Sequence, residues 1–303
     1  MKQTELLIIG GGAAGLTAGL YGARAGRQTV LIERMFAGGQ IATTHRLENY
    51  PGFPQGIGGV EIGMAMMEQA ERFGLQIQYD TVNCLELEGA VKTARCDGED
   101  WQAKAVILCM GAEPRQLGVG REDELRGRGV SYCATCDGAF YQDKTVAVVG
   151  GGDTACEDAL YLAALAKKVY LIHRRDELRA AGILRQRVME NDRIHMLWNT
   201  QVEALLGEER LEGLVLTGEN KGELQSDGLF IAVGTLPQSQ LVQGALKLDA
   251  QGAILTDDRM RTELPGVYAA GDVRATPLRQ VVTAAADGAV AATEAAKYLM
   301  ERA

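Results

Sequence analysis

The sequence predicts an α/β protein built from two copies of one strand–turn–helix–strand unit. Residues 10–34 (GGGAAGLTAGLYGARAGRQTVLIER) and 150–174 (GGGDTACEDALYLAALAKKVYLIHR) align without a gap, and nine of the 25 positions are identical. Each copy follows a short apolar run, at 6–9 or 146–149, of the kind shown by a strand buried on both faces. Glycine is in excess, with 38 of 303 residues against a usual share of about 7%. With 6 prolines and no collagen-like period, that excess belongs in turns where backbone must approach something closely.

In each copy the glycines lead into about 13 residues with apolar positions at helical spacing, then into a second short strand at 29–32 or 169–172. That order, met twice, begins two Rossmann-like, three-layer dinucleotide-binding domains. Gly10, Gly12 and Gly15 have the spacing of a phosphate-binding turn. The first allows the tight turn, the second bares backbone beside a pyrophosphate, and the third lets helix and strand touch. The helix N-terminus adds free N–H groups and a positive dipole end. Gly150, Gly152 and Ala155 repeat the arrangement, alanine being an accepted third residue.

The second strands end differently. Glu33, 23 residues after Gly10, is placed to accept hydrogen bonds from ribose hydroxyls. At that offset the second copy has His173, then Arg174 and Arg175, with Arg179 four further on. A carboxylate there would repel a 2′-phosphate, whereas guanidinium groups bind one through paired N–H donors. The first unit therefore reads as the adenosine site of a flavin or NAD and the second as an NADP site. A solvated basic turn is the competing reading of Arg174 and Arg175.

Between the copies lies Cys133-Ala-Thr-Cys136, followed by Asp137 and Gly138. A zinc site would need a second ligand pair, and no other Cys or His cluster has ligand spacing, so no metal is expected. A CxxC in a cytosolic α/β protein points instead to a dithiol that cycles with a disulfide. Asp137 is positioned by sequence to exchange the proton that this chemistry needs, or simply to cap a turn. Cys84, Cys96, Cys109 and Cys156 read as inert core residues in or beside apolar runs. His45, His173 and His195 read as structural or nucleotide-site residues rather than catalytic ones.

Net charge is −9, which disfavours a nucleic-acid partner for want of any phosphate-neutralising excess. No apolar run reaches the ~18 residues needed to span a bilayer, and the N-terminus does not read as a signal peptide. Six cysteines without an export signal should be mostly reduced thiols, and the cytoplasm is the expected location.

The runs CATCDGAFY, HRRDELRA and GVYAAGDV with RQVVTAAADG, together with the two triple-glycine turns, resemble the low-molecular-weight thioredoxin reductases over essentially the whole chain. The resemblance implies FAD in the first unit, NADPH in the second, and a CxxC that passes electrons to thioredoxin. Cys136 would face the flavin, Cys133 would attack the substrate disulfide, and Asp137 would act as the acid. For FAD it implies Gly12, Ala13 and Ala14 at the pyrophosphate and Glu33 at the ribose. It adds Gly39, Gln40 and Asn49 (in the run ENYP) near the flavin, Gly111 and Ala112 at a second crossing, and Gly271, Asp272, Arg279 and Gln280 at the far end. Met110 departs mildly, since threonine is commoner there. For NADPH the matching residues are Gly152, Asp153, Thr154, His173, Arg174, Arg175 and Arg179. A homodimer is implied as well. A flavoenzyme serving another dithiol carrier or electron donor, or a sensor that uses the CxxC only as a switch, remains an alternative.

Because the FAD motifs occur before residue 113 and again after 270, the FAD domain should be discontinuous, 1–114 with 243–303. An NADPH domain at 118–240 would be inserted between candidate crossings at 111–120 and 234–240. Residues 84–109 suggest a small antiparallel sheet appended to the first unit.

Overall fold

The computed structural model describes residues 1–43, 47 and 49–302. His45 lies outside the described residues. The chain divides into two compact units, one formed by Met1–Glu113 with Leu236–Ala303 and the other by Pro114–Thr235.

In the first unit the chain runs β1 (Lys2–Ile9), α1 (Ala13–Arg24), β2 (Thr29–Glu33), α2 (Gly59–Arg72), β3 (Gln76–Tyr79), β4 (Val82–Glu86), β5 (Lys92–Cys96), β6 (Trp101–Leu108) and β7 (Ala112–Pro114). The second unit holds β8 (Val130–Ser131), α3 (Ala134–Asp137), β9 (Thr145–Gly150), α4 (Asp153–Leu165), β10 (Lys168–Ile172), α5 (Gly182–Met189), β11 (Ile194–Leu197), β12 (Thr200–Leu206), β13 (Gly213–Gly218), β14 (Gly222–Gln225) and β15 (Gly228–Ala232). After β16 (Thr235–Pro237), β17 (Val267–Ala269) and α6 (Val281–Met300) complete the first unit.

Among the described residues the first unit has one seven-stranded sheet, β3-β2-β1-β6-β5-β4, with β17 also paired to β6. Strands β3, β2, β1, β6 and β17 are parallel, whereas β5 pairs antiparallel with β6 and β4 antiparallel with β5. Alternate residues of β1 serve opposite faces. Leu6 and Ile8 join Leu31, Ile107 and small residues of α1 and α6, while Leu7 and Ile9 join Val30, Val106 and Leu108 with Leu85 and Ala94 of the antiparallel arm. Burial on both faces is why the apolar runs are continuous rather than alternating. The antiparallel segment is thus an extension of the main sheet through β6, not an appended sheet, because β6 pairs with β1 on one edge and β5 on the other.

The second unit repeats the plan. A five-stranded parallel sheet, β11-β10-β9-β15-β8, has α4 and α5 residues on one face and the antiparallel β12-β13-β14 layer on the other. At the two passages between units β7 pairs with β16. Residues 236–240, placed by sequence with the inserted segment, cluster with the first unit, where the Gln238 N–H donates to the Gly111 carbonyl oxygen at 2.9 Å. No helix among the described residues is long and apolar enough to cross a membrane.

Candidate functional site

At the first glycine turn, β1 delivers Gly10 with φ +102°, and a Cβ there would lie 2.4 Å from the Cys109 carbonyl oxygen. Gly15 faces back on the turn, and a Cβ on it would lie 1.9 Å from the Gly10 carbonyl oxygen. Gly12 is the opposite case, since a Cβ there would meet nothing within 4 Å. It is the N-cap of α1, and no side chain caps the helix. Open space in front of an uncapped helix head, where Ala13 and Ala14 begin the turn, is what a pyrophosphate requires.

Gly11 has a role that sequence spacing did not suggest. Its N–H donates to Glu33 Oε2 at 2.7 Å, and a Cβ on it would press against the Glu33 side chain at 3.1 Å. The Met35 N–H donates to the other carboxylate oxygen at 3.0 Å. Glu33 is therefore held at the turn with lone pairs left for ribose hydroxyls.

Three loops converge on the head of α1. The Gly38 N–H donates to the Gly11 carbonyl oxygen at 2.7 Å, and a Cβ on Gly39 would lie 3.0 Å from Gly12 Cα. The Gln40 side chain donates to the Ala112 carbonyl oxygen, tying that loop to the Gly111–Ala112 crossing. A Cβ on Gly271 would come 2.9 Å from Ala14 Cβ, and Gly288 of α6 lets the Ala14 carbonyl approach. Arg279 Nε donates to the Asp272 carbonyl oxygen at 3.4 Å, and Asn49 Nδ2 donates to Gln280 Oε1 at 3.0 Å. Burial pushes the Asp272 carboxyl up to about 6, with Arg279 opposing the rise and Asp287 adding to it. Asp287, which the motif reading passed over, accepts from the Gly271 N–H and Arg274 Nη1 at 3.1 Å each. Met110 packs on the sheet face away from α1. The cradle at Gly12, the uncapped helix and the Glu33 carboxylate fit a dinucleotide.

The second turn repeats this with one exchange. A Cβ on Gly150 would lie 2.4 Å from the Ala232 carbonyl oxygen, and one on Gly152 would meet nothing within 4 Å. No side chain caps α4, and Ala155 fills the third position. Under Gly151 sits the His173 ring, 2.1 Å from where a Cβ would be. His173 is buried, its Nε2 lies 3.1 Å from the Glu177 carbonyl oxygen, and burial lowers its pKa. It supports the turn from below.

Arg174, Arg175 and Arg179 are exposed. The Arg179 N–H donates to the Gly151 carbonyl oxygen and the Ala181 N–H to Asp153 Oδ1, both at 2.7 Å, which stitches their loop to the turn. Thr154 is exposed at the head of α4. Arg175 and Arg179 line an open depression of about 530 Å³ together with Asp176, Glu177 and Arg185, whereas Arg174 is not among its lining residues. Arg185, which lies outside the sequence motif, arrives from α5 and pairs with the Glu177 carboxylate.

Cys133 and Cys136 are disulfide-bonded, with Cα atoms 5.3 Å apart. Cys133 is the N-cap of α3, a single turn that follows β8. Asp137 ends that turn, and burial pushes its carboxyl up while Ser131 and Arg126 oppose the rise. Ser131 Oγ donates to Asp137 Oδ2 at 2.6 Å and accepts from the Cys133 N–H at 3.1 Å. Sequence reasoning missed Ser131, which carries no motif of its own. Of the cysteines read as core, Cys109 and Cys156 are buried and Cys96 is half-buried, but Cys84 is exposed. It lies beside exposed Asn83 on β4, where the pairing with β5 shifts register between Val82 and Cys84.

A family model described as pyridine nucleotide-disulphide oxidoreductase matches residues 4–288. The chain is similar to a thioredoxin reductase of Peptoclostridium acidaminophilum, 46% identical over 97% of this chain and 96% of the relative. It is similar to that of Bacillus subtilis at 43% identity, over 99% of this chain and 96% of the relative. A solved thioredoxin reductase from Streptococcus pyogenes superposes with a TM-score of 0.93 at 41% identity, covering 99% of both chains.

Proposed function

This chain belongs to the pyridine nucleotide-disulphide oxidoreductase family, and we propose that it reduces the disulfide of thioredoxin with electrons from NADPH, by way of FAD and the Cys133–Cys136 pair. The observation that carries this reading is the disulfide itself, set at the head of one helical turn with a half-buried carboxyl at the other end.

The first unit would hold FAD, with Gly10, Gly12, Ala13, Ala14 and Gly15 at the pyrophosphate and Glu33 at the ribose. Gly39, Gln40, Asn49, Gly111, Ala112, Gly271, Asp272, Arg279 and Gln280 would line the rest. The second would hold NADPH through Gly150, Gly152, Asp153 and Thr154, with Arg174, Arg175 and Arg179 reading the 2′-phosphate and His173 bracing the turn. Bound FAD supplies a two-electron relay between a nicotinamide and a disulfide.

Opening the Cys133–Cys136 bond takes up two electrons and two protons and yields two thiols. Asp137, whose carboxyl burial pushes up, delivers a proton at the sulfur of the pair that leaves as thiolate. Asp137, ionised by that transfer, takes the proton back from Cys133, whose thiolate attacks one sulfur of thioredoxin's disulfide; a mixed disulfide forms and the other sulfur leaves and takes up the proton. Cys136 then gives up its proton and attacks Cys133 Sγ, and the second thioredoxin sulfur leaves and takes up that proton, which frees the thioredoxin dithiol and restores the intramolecular bond. A homodimer and a cytoplasmic location complete the proposal; the relatives' names support the substrate.

Anaerobic NADPH should bleach the flavin absorbance of the holoprotein, and oxidised thioredoxin should restore it. Bleaching restored by other small disulfide proteins but not by thioredoxin would point to another carrier. NADPH binding without bleaching would point to a sensor.

A further inference from the structure

Ser131 lies at the end of β8, only 3% exposed, between the two groups that matter most for the cysteine pair. Its hydroxyl donates to Asp137 Oδ2 at 2.6 Å and accepts from the Cys133 N–H at 3.1 Å. A third partner, the Cys133 carbonyl oxygen, stands 3.4 Å from the same Oγ. One hydroxyl thus joins the proposed acid to the backbone of the cysteine that faces the substrate.

We propose that Ser131 is a positioning residue for proton transfer at the Cys133–Cys136 pair, its hydroxyl holding Asp137 against the head of the cysteine turn in both protonation states. The proposal rests on the reading of Asp137 as the proton donor. A serine hydroxyl has one proton and two lone pairs. With Asp137 ionised, the proton goes to Oδ2 and a lone pair to the Cys133 N–H, as in the structure. With Asp137 protonated, the carboxylic O–H donates to the second lone pair, and the serine proton turns to the Cys133 carbonyl oxygen. Either way every partner is satisfied without moving the carboxyl, so the acid regains and gives up its proton in one place. An alanine would take away the hydroxyl that accepts from the Cys133 N–H and the donor to the Asp137 carboxyl.

Other charged and titratable groups among the described residues also face Asp137 or its turn. Arg126, whose guanidinium covers the Tyr132 ring, favours the ionised form. Tyr141, in the turn that follows, has its ionisation opposed first by burial and then by Asp137 and Asp227. From α4, Tyr161 packs on Gly138, the next residue.

The test is the pH profile of thioredoxin reduction, with an infrared titration of the Asp137 carboxyl obtained by difference against Asp137→Asn. Four further proteins are compared: wild type, Ser131→Ala, Ser131→Val and Ser131→Thr. Threonine keeps the hydroxyl and valine is its apolar isostere, so that pair isolates the hydroxyl should alanine destabilise β8. Losing a donor to the ionised carboxylate should raise the Asp137 pKa by about one unit. The alkaline limb of kcat should move up by the same amount in the alanine and valine variants. kcat at the optimum should also fall about tenfold, and threonine should retain both values. A uniform loss at all pH values with the limb and carboxyl titration unmoved would overturn the proposal. So would a limb shift that persists in Asp137→Asn. If Asp137→Asn itself keeps the wild-type profile, the reading of Asp137 as donor falls first and this inference falls with it.

Discussion

Asn49 donates its side-chain amide to the Gln280 side-chain oxygen at 3.0 Å, joining two loops 231 residues apart in sequence. Gln280 also caps α6 reciprocally with Thr283, so its side chain has a fixed base from which to receive that bond. The two residues lie in loops implied near the flavin, and each orients the other. Asn49→Ala and Gln280→Ala should each weaken FAD retention about three- to tenfold, the worth of one net hydrogen bond. The double variant should lose less than the product of the two effects. Fluorescence of released FAD measures both constants, and strictly multiplicative losses would show the pair to be uncoupled.

Two glycines of the first turn should fail in different ways. Gly12→Ala places its Cβ in open space with φ at −75°, so the variant should fold with wild-type stability and bind FAD poorly. Gly15→Ala drives a Cβ into the Gly10 carbonyl and should lower the melting temperature of the FAD-free chain. Thermal denaturation with and without FAD separates them. Equal stability losses would deny that Gly12 faces the ligand.

Cofactor preference should follow the arginines. Each charge-assisted hydrogen bond to phosphate is worth about 1.5–3 kcal/mol, so Arg174→Ala/Arg175→Ala should reduce the NADPH over NADH preference by about 100-fold. Arg185→Gln, which releases the Glu177 carboxylate at the rim of the depression, should raise the KM for NADPH about two- to fivefold. kcat/KM for both nucleotides reads these effects. A wild type that uses NADH equally well would reject the NADP assignment.

The cysteines should separate cleanly. Cys133→Ser should accept electrons from NADPH yet fail to reduce thioredoxin, leaving Cys136 as a free thiolate beside the oxidised flavin with a long-wavelength charge-transfer band. Cys136→Ser should trap thioredoxin on Cys133 as a mixed disulfide visible on a non-reducing gel. Undiminished thioredoxin reduction by both variants would make the disulfide structural.

Asp272 should trade stability for cofactor. Its carboxyl is raised from 3.8 to about 6 by burial, so between those values the unfolded chain releases a proton that the folded chain keeps. Folded stability contributed by this group is therefore lost as pH rises through that window. Asp272→Asn should leave the FAD-free protein unchanged below pH 4 and stabilise it by about 1–3 kcal/mol at pH 7, while weakening FAD binding. Denaturation curves at the two pH values check this, and equal effects at both would show that the carboxyl is not the cause.

What the sequence by itself determined were the features whose physical demand is local. A turn that needs φ above zero or a missing Cβ leaves glycine at Gly10 and Gly15, and a strand buried on both faces leaves an unbroken apolar run. The pairing of Cys133 with Cys136 belongs to this group too, since they stand three positions apart. Tertiary structure alone decided where the partners are distant or the face of an element is at stake. Nothing in the motif HRRDELRA says that His173 turns inward beneath Gly151 while the arginines stay outside, because that depends on how β10 ends against the glycine turn. Arg185 joins the basic depression only because α5 folds back on the loop that precedes it. Cys84 is exposed because β4 lies at the edge of the sheet, with one face uncovered. Ser131 acquires its role from a single turn of helix that returns Asp137 to the end of β8. Backbone constraints are written residue by residue into composition, whereas a side chain's partners are selected by packing, which no short window of sequence contains.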